Sequence, residues 1–231
     1  MPQRSSSIGT LAERSLHAAL KEWYAHPGDR FEAPVEGYVV DILRGNLLIE
    51  VQTHNFAAIK AKLAALTERH PLRLIYPVAA LKWIVRLAAD GHTLLDRRRS
   101  PRHGSVLDVF HELVSIPALL RRPTFSLEVV LAEIEEVRLN DGRGSWRRGG
   151  WSIADARLLR VVDQVVLATP ADFRALLPPT LPTPFTTRDL ALALGERVDL
   201  AQKIAYCLRE MGIAEVIGRR RSAYLYSLLG G

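Results

Sequence analysis

Residues Asp41 to Gln52 read DILRGNLLIEVQ, and how this stretch folds decides how the rest of the chain is read. Gly45-Asn46 is a favoured two-residue hairpin turn, with Gly45 supplying the positive φ that a type II′ turn needs at its first central position. Pairing Arg44 with Leu47 then places Asp41 opposite Glu50 and Val39 opposite Gln52. Side chains alternate along a strand, so Asp41, Glu50 and Gln52 share one face and Val40, Ile42, Ile49 and Val51 the other. Like charges placed opposite each other cost about 0.2–1 kcal/mol. Either both carboxylates point into water from an exposed sheet, or a divalent cation offsets them, as Mg²⁺ does with one or two carboxylates, water and a substrate phosphate.

The flanking segments favour a covered sheet. Ile8 to Tyr24 reads as an amphipathic helix with Leu11, Leu16, Leu20 and Trp23 as its apolar positions and Glu13 in its first turns. Phe56 to His70 is a second helix, with Phe56, Ile59, Leu63 and Leu66 on one stripe and Lys60 and Lys62 off it. Pro71 ends it, and Leu72 to Val78 is a short apolar strand. With Arg30 to Val35 as a first, more polar strand, the order is helix, strand, strand, strand, helix, strand. Helices on both faces would bury the carboxylates, and buried carboxylates need partners or a metal.

This arrangement resembles the restriction-endonuclease-like core of the PD-(D/E)XK nuclease superfamily over residues 8–78: an α/β fold with a mixed sheet flanked by helices. Gly9-Thr10-Leu11-Ala12-Glu13 matches the Gly-x-x-x-Glu pattern of that family's first helix, Asp41 its metal-binding aspartate, and Glu50 the acidic residue of its E-x-K element. Gln52 stands where lysine is usual, and some restriction enzymes of the superfamily carry glutamine there and still cut. The resemblance implies Mg²⁺ or Mn²⁺ held by Asp41, Glu50 and the carbonyl of Val51, with Glu13 holding an outer-shell water or a second ion and Gln52 a water. It implies a metal-dependent endodeoxyribonuclease. The alternative is a non-catalytic DNA-binding or regulatory protein that keeps the fold and has lost the chemistry through Gln52. RNA as the target is a third possibility. His54 shares the face of Gln52 if the strand persists, as a proton acceptor.

Composition agrees with a polyanionic partner. The net charge is +6 in 231 residues. The excess is spread along the chain and gathers locally as Arg97, Arg98, Arg99 and Arg102, as Arg121 and Arg122, as Arg147 and Arg148, and as Arg219, Arg220 and Arg221. Arginine forks suit phosphate. There is no apolar run of membrane-spanning length and no signal-peptide centre near the N-terminus, so a soluble, cytoplasmic protein is expected, away from membranes. A homodimer is left open. The single cysteine, Cys207, excludes an intramolecular disulfide and a cysteine-rich zinc site.

The middle is less legible. Leu81 to Leu87 and Thr93 to Arg99 form a hairpin around Asp90-Gly91, Val106 to Leu120 a helix interrupted near Pro117, and Phe125 to Leu139 either a strand or a helix, with Glu133, Glu135 and Glu136 on a solvated face. Trp146, in the loop from Asn140 to Gly150, is placed either to stack on a base or to pack beneath the loop. The prolines of 178–184 suggest a stiff linker, giving a nuclease-like domain over 1–177 (core 8–78, extension 79–177) and a module over 185–231. In that module a helix capped by Thr186 or Thr187 and stopped by Gly195, a helix from Val198 to Met211, and strands Ala214 to Ile217 and Ala223 to Leu228 resemble a winged helix-turn-helix, with Ala171 to Leu177 as a possible first helix. Gln202, Lys203, Tyr206 and Arg209 would face DNA and the Arg219 to Arg221 wing its backbone, unless the module docks protein instead.

Overall fold

The computed structural model describes residues 9–146 and 149–229, with the side chains of 9–14 left aside. Nine strands and six α-helices make up the regular structure of the described chain. The N-terminal order is α1 (Gly9–Tyr24), β1 (Arg30–Val35), β2 (Tyr38–Arg44), β3 (Leu47–Val51), α2 (Phe56–Leu66) and β4 (Leu72–Leu87), the helix and strand order read from the sequence. Then come β5 (Leu94–Arg99), α3 (Phe110–Leu113) between two 3-10 turns, β6 (Phe125–Leu139), β7 (Ser152–Leu167), α4 (Pro170–Ala175), α5 (Thr187–Leu194), α6 (Val198–Glu210), β8 (Ala214–Arg220) and β9 (Ala223–Leu228). The architecture is α/β, with a large mixed sheet flanked by helices. Its strand order is β1-β2-β3-β4-β6-β7, with β5 also paired to β4, and β8-β9 form a separate ribbon.

The Gly45-Asn46 hairpin pairs Arg44 with Leu47 and Ile42 with Ile49 as expected, but the ladder stops there, short of the expected Asp41–Glu50 and Val39–Gln52 pairs. Gly45 takes φ 58, the conformation for which glycine is suited. β1 pairs antiparallel with β2, and β3 pairs parallel with β4, Glu50 standing beside Leu74. A parallel pair needs a crossover, and α2 supplies it.

Two compact units group non-adjacent stretches of chain. One comprises 1–29, 77–105 and 130–164. In it Leu16, Leu20 and Tyr24 form the buried stripe of α1, whereas Trp23, expected in the core, is 46% exposed. The i, i+4 spacing from Leu16 through Leu20 continues at Tyr24, and Trp23 packs edge-on against Tyr24 from outside. β5 pairs with the far half of β4, as the Asp90-Gly91 hairpin required. The expected strands 72–78 and 81–87 are one continuous strand. Pro77 falls between the part of β4 paired with β3 and the part paired with β5, where a missing donor costs least. Phe125 to Leu139 is a strand, and its glutamates are paired rather than solvated. Glu133 accepts from Trp83 Nε1 and Arg160 Nε at 2.6 Å each, Glu135 from Arg97 Nε at 3.0 Å, and the buried Glu136 from Lys82 at 3.1 Å and Arg138 Nε at 2.7 Å.

The other unit comprises 30–76, 106–129 and 165–231, so the C-terminal helices cluster with β1–β3 and α2. Phe56, Leu63 and Leu66 of α2 are fully buried. α2 stops at Leu66 rather than His70: the Glu68 N–H turns to Ala65 O at 3.3 Å, and Ala64 O is taken by Arg122 Nη1 at 2.5 Å. Val106 to Leu120 is broken into short helical turns instead of one interrupted helix, its α-helical part only Phe110–Leu113. In the C-terminal part, Thr186 and Asp189 form a reciprocal capping box on α5, and Gly195 ends it at φ 67. Phe185 exchanges main-chain hydrogen bonds with Tyr226 of β9 at 2.9 and 2.7 Å and stacks on its ring at 5.7 Å. Among the described residues no helix is long and apolar enough to cross a membrane.

Candidate functional site

The register sets Asp41 and Glu50 at a fork in the sheet. The β2–β3 ladder ends at Ile42 and Ile49; beyond it β2 continues against β1 and β3 against β4. At the fork the Asp41 carboxylate takes the place of a ladder acceptor, Oδ2 receiving the main-chain N–H of Val51 at 2.8 Å. A charge-assisted hydrogen bond of this kind contributes about 1.5–3 kcal/mol. Asp41 and Glu50 are 8% and 6% exposed, while Val40, Ile42, Ile49 and Val51 are buried as well. Both faces of the hairpin are therefore covered, and the reading in which the carboxylates point into water does not apply.

Glu50 meets a cation. Lys62 Nζ, from α2, lies 2.5 Å from Glu50 Oε1 and donates to Val39 O at 2.6 Å, so one ammonium spans the fork from β3 to β2. Oε2 of Glu50 is buried with no hydrogen-bond partner. Burial, and then the charge of Asp41, push the Glu50 carboxyl above the usual range, against the pull of Lys62 and of the Asp41 main-chain N–H. The carboxylate is thus half satisfied: one oxygen is neutralised and the other is sequestered from water.

Gln52 lies just beyond β3, and its Nε2 donates to His54 O at 2.5 Å. β3 ends at Val51, so the strand that would have carried His54 onto the face of Gln52 does not persist. Glu13 belongs to α1, but its side chain lies outside the described residues, as do Arg147 and Arg148. Among the described residues no group of three or more His, Cys, Asp or Glu is arranged to hold a metal. Two carboxylates suffice for an ion that keeps its waters. The fit rests on Glu50 Oε2, an acceptor whose burial without a donor is costly and which a cation would satisfy.

Sequence reasoning missed Lys62, which stood off the apolar stripe of α2 and was given no role. A signal was present nonetheless: with glutamine at position 52, two buried carboxylates still need a cation, and the next element carries two lysines.

The arginines divide by what holds them. Arg97 is stacked 4.2 Å over Trp83 and bonded to Glu135, and Arg98 lies 3.9 Å from Asp96. Arg97, Arg98, Arg99 and Arg102 are all exposed. Arg122 is committed to the end of α2. On α6, Gln202, Tyr206 and Arg209 are exposed, whereas Lys203 turns to α3, its Nζ 2.9 Å from His111 Nδ1. Arg219 and Arg220 lie on β8 and Arg221 at the turn, with φ 57. Arg219 stacks 4.8 Å over Tyr224, and Arg220 reaches Asp189 at 3.2 Å. Trp146 is 84% exposed, while Trp151 lies under Arg86 at 5.1 Å.

The candidate site is thus a buried carboxylate pair at a strand fork, met by a lysine from the crossover helix. By sequence the chain belongs to the family described as Domain of unknown function (DUF8091), whose model matches residues 14–168. That span includes Asp41, Glu50 and Lys62 and ends just before α4. The chain is 29% identical over 221 residues to an "Uncharacterized protein" of Treponema pallidum (strain Nichols), covering 95% of this chain and 87% of the relative. No solved structure matches it.

Proposed function

We propose that the chain is a divalent-metal-dependent DNA phosphodiesterase whose reactive centre is Asp41, Glu50 and Lys62. The observation that carries this reading is Glu50, buried beside Asp41 with Oε1 on Lys62 and Oε2 without a donor. What supports it further is the setting: antiparallel β1-β2-β3, parallel β4 and crossover α2 repeat the helix and strand order of the PD-(D/E)XK core. Lys62 brings from α2 the positive charge that the family places two residues after its glutamate, where this chain has Gln52.

Asp41 and Glu50 would hold Mg²⁺ or Mn²⁺. Such an ion, when bound, polarises a phosphate oxygen and lowers the pKa of a water. The chain's own residues do the rest. Asp41 fixes the start of the fork through the Val51 amide and keeps the two strands in register. Lys62, held within reach of Glu50, presents an ammonium where negative charge builds up on the phosphorane-like transition state. Gln52 orders the loop into α2 through its bond to His54 O.

The arrangement of α4, α5, α6, Phe185 and the β8-β9 ribbon supports reading the C-terminal part as a winged helix-turn-helix. Gln202, Tyr206 and Arg209 would face the groove, and Arg219 to Arg221 the phosphates. Lys203 drops out of that face. A second reading, a non-catalytic DNA-binding protein, is favoured by one feature: Lys62 already neutralises Glu50, an internally balanced pair that a decayed site would also retain. Incubation with supercoiled, linear duplex and single-stranded DNA and with RNA, in Mg²⁺ and in Mn²⁺, separates the two. Metal-dependent strand scission lost in Glu50→Ala is the expected result, and DNA binding without scission on every substrate favours the second reading.

A further inference from the structure

The helix that delivers Lys62 holds its own ends only in part: Thr67 Oγ1 closes its last turn on Leu63 O at 2.6 Å. At the N-cap of α2, Asn55 is left-handed at φ 57 and makes no side-chain capping bond; the first turn has no acidic residue and the last turn no basic one. Both ends are also met from the segment between β5 and β6. At the N-terminus, Glu112 Oε2 of α3 accepts the Phe56 N–H at 3.0 Å. At the C-terminus, Arg122 Nη1 donates to Ala64 O at 2.5 Å and to Thr67 Oγ1 at 2.8 Å, and Thr124 Oγ1 donates to Thr67 O at 2.5 Å. The signs are those the helix dipole favours, a carboxylate at the positive end and a guanidinium at the negative end.

We propose that Glu112 and Arg122 are positioning residues that fix α2 along and about its axis and thereby set Lys62 Nζ between Glu50 and Val39. The proposal rests on the reading of Lys62 as the cation of the site. Lys62 sits six residues after the end held by Glu112 and two before the carbonyl held by Arg122. A slip of one residue would move it by about 1.5 Å and turn it by about 100°. Either displacement ends a 2.5 Å contact. Phe56, Leu63 and Leu66, all fully buried, resist a whole-residue slip, and a hydrogen bond at each end narrows the smaller shifts and rotations that would still lengthen the Lys62–Glu50 contact.

The test is residue-resolved lysine acetylation of the full-length protein, read by mass spectrometry with no substrate present. Lys60, exposed on the same helix, and Lys82, paired with Glu136, are internal references. In the wild type, Lys62 should react about tenfold more slowly than Lys60, the protection that one charge-assisted hydrogen bond confers. In Glu112→Ala and in Arg122→Ala the rate at Lys62 should rise to that of Lys60 while Lys82 keeps its own. Glu112→Gln and Arg122→Lys, which keep a hydrogen bond at the helix end, should restore most of the protection, and they carry the comparison if an alanine variant does not fold. Alanine variants that melt earlier but leave Lys62 as protected as before would overturn the proposal, because the clamp would then serve stability alone. A wild-type Lys62 as reactive as Lys60 would overturn the Lys62–Glu50 site itself and the proposal with it. The two failures are therefore distinct.

Discussion

Lys62 Nζ lies 2.5 Å from Oε1 of Glu50 across the β3–α2 crossover, so the positive charge absent at position 52 is present at the same carboxylate from another element. This relationship changes what Gln52 is expected to do. If Lys62 supplies the charge, Gln52→Lys adds nothing to the wild type. In a Lys62→Met background, however, Gln52→Lys should recover part of the missing cleavage. The single variant Lys62→Met should bind DNA nearly as well as the wild type and cut it about a hundredfold more slowly, within the range for removing one transition-state donor. Cleavage rates and binding constants for the four proteins form a double-mutant cycle. Recovery no greater than the Gln52→Lys effect in wild type would remove Lys62 from the reaction.

The ribbon β8-β9 yields a prediction in salt. Replacing Arg219, Arg220 and Arg221 by alanine should shrink the slope of log K against log salt by about 0.9 for each phosphate that is no longer neutralised. Gln202→Ala should alter sequence preference and leave the slope alone. Fluorescence anisotropy across a salt series measures both. An unchanged affinity and slope in the triple variant would assign this part to protein binding.

The capping box on α5 sets an acid limit. Hydrogen bonds from the Thr186 main chain and hydroxyl, aided by the nearby Arg220, hold the Asp189 carboxyl below its usual value of 3.8. The folded state therefore binds this proton less readily than the unfolded state. The stabilisation is complete above the unfolded value and is lost as pH falls through the lower, folded one. In melting curves taken downward from pH 5, Asp189→Asn should lose less stability than the wild type. Parallel curves for the two proteins would contradict this.

Local chemistry was legible and distant pairing was not. Gly45-Asn46 fixes its own register because turn and strands are adjacent in sequence, although the ladder ends at Ile42 and Ile49, one residue short of Asp41 and Glu50. The helix and strand order through β4 followed from periodicity. β4 ran on past Pro77 because its neighbours change there, which no local pattern records. Arg122 read as half of a basic pair, and its role at the end of α2 depends on a carbonyl 58 residues away. Glu133, Glu135 and Glu136 read as solvated because Trp83, Arg160, Arg97 and Lys82, which meet them, lie on other strands. Trp23 misled for a simpler reason: a large apolar residue beside an i, i+4 stripe was counted as part of it.

The central claim is that Asp41, Glu50 and Lys62 form a working phosphodiesterase centre. The most direct measurement is strand scission of supercoiled plasmid by purified wild-type protein in Mg²⁺ and Mn²⁺, beside Asp41→Ala, Glu50→Ala and Lys62→Met proteins shown to be folded and to bind DNA. The account predicts metal-dependent nicking or linearisation by the wild type that all three substitutions abolish or reduce at least about a hundredfold. Cleavage that persists undiminished in Glu50→Ala, or a wild type that binds DNA and never cuts it with either metal, would contradict it.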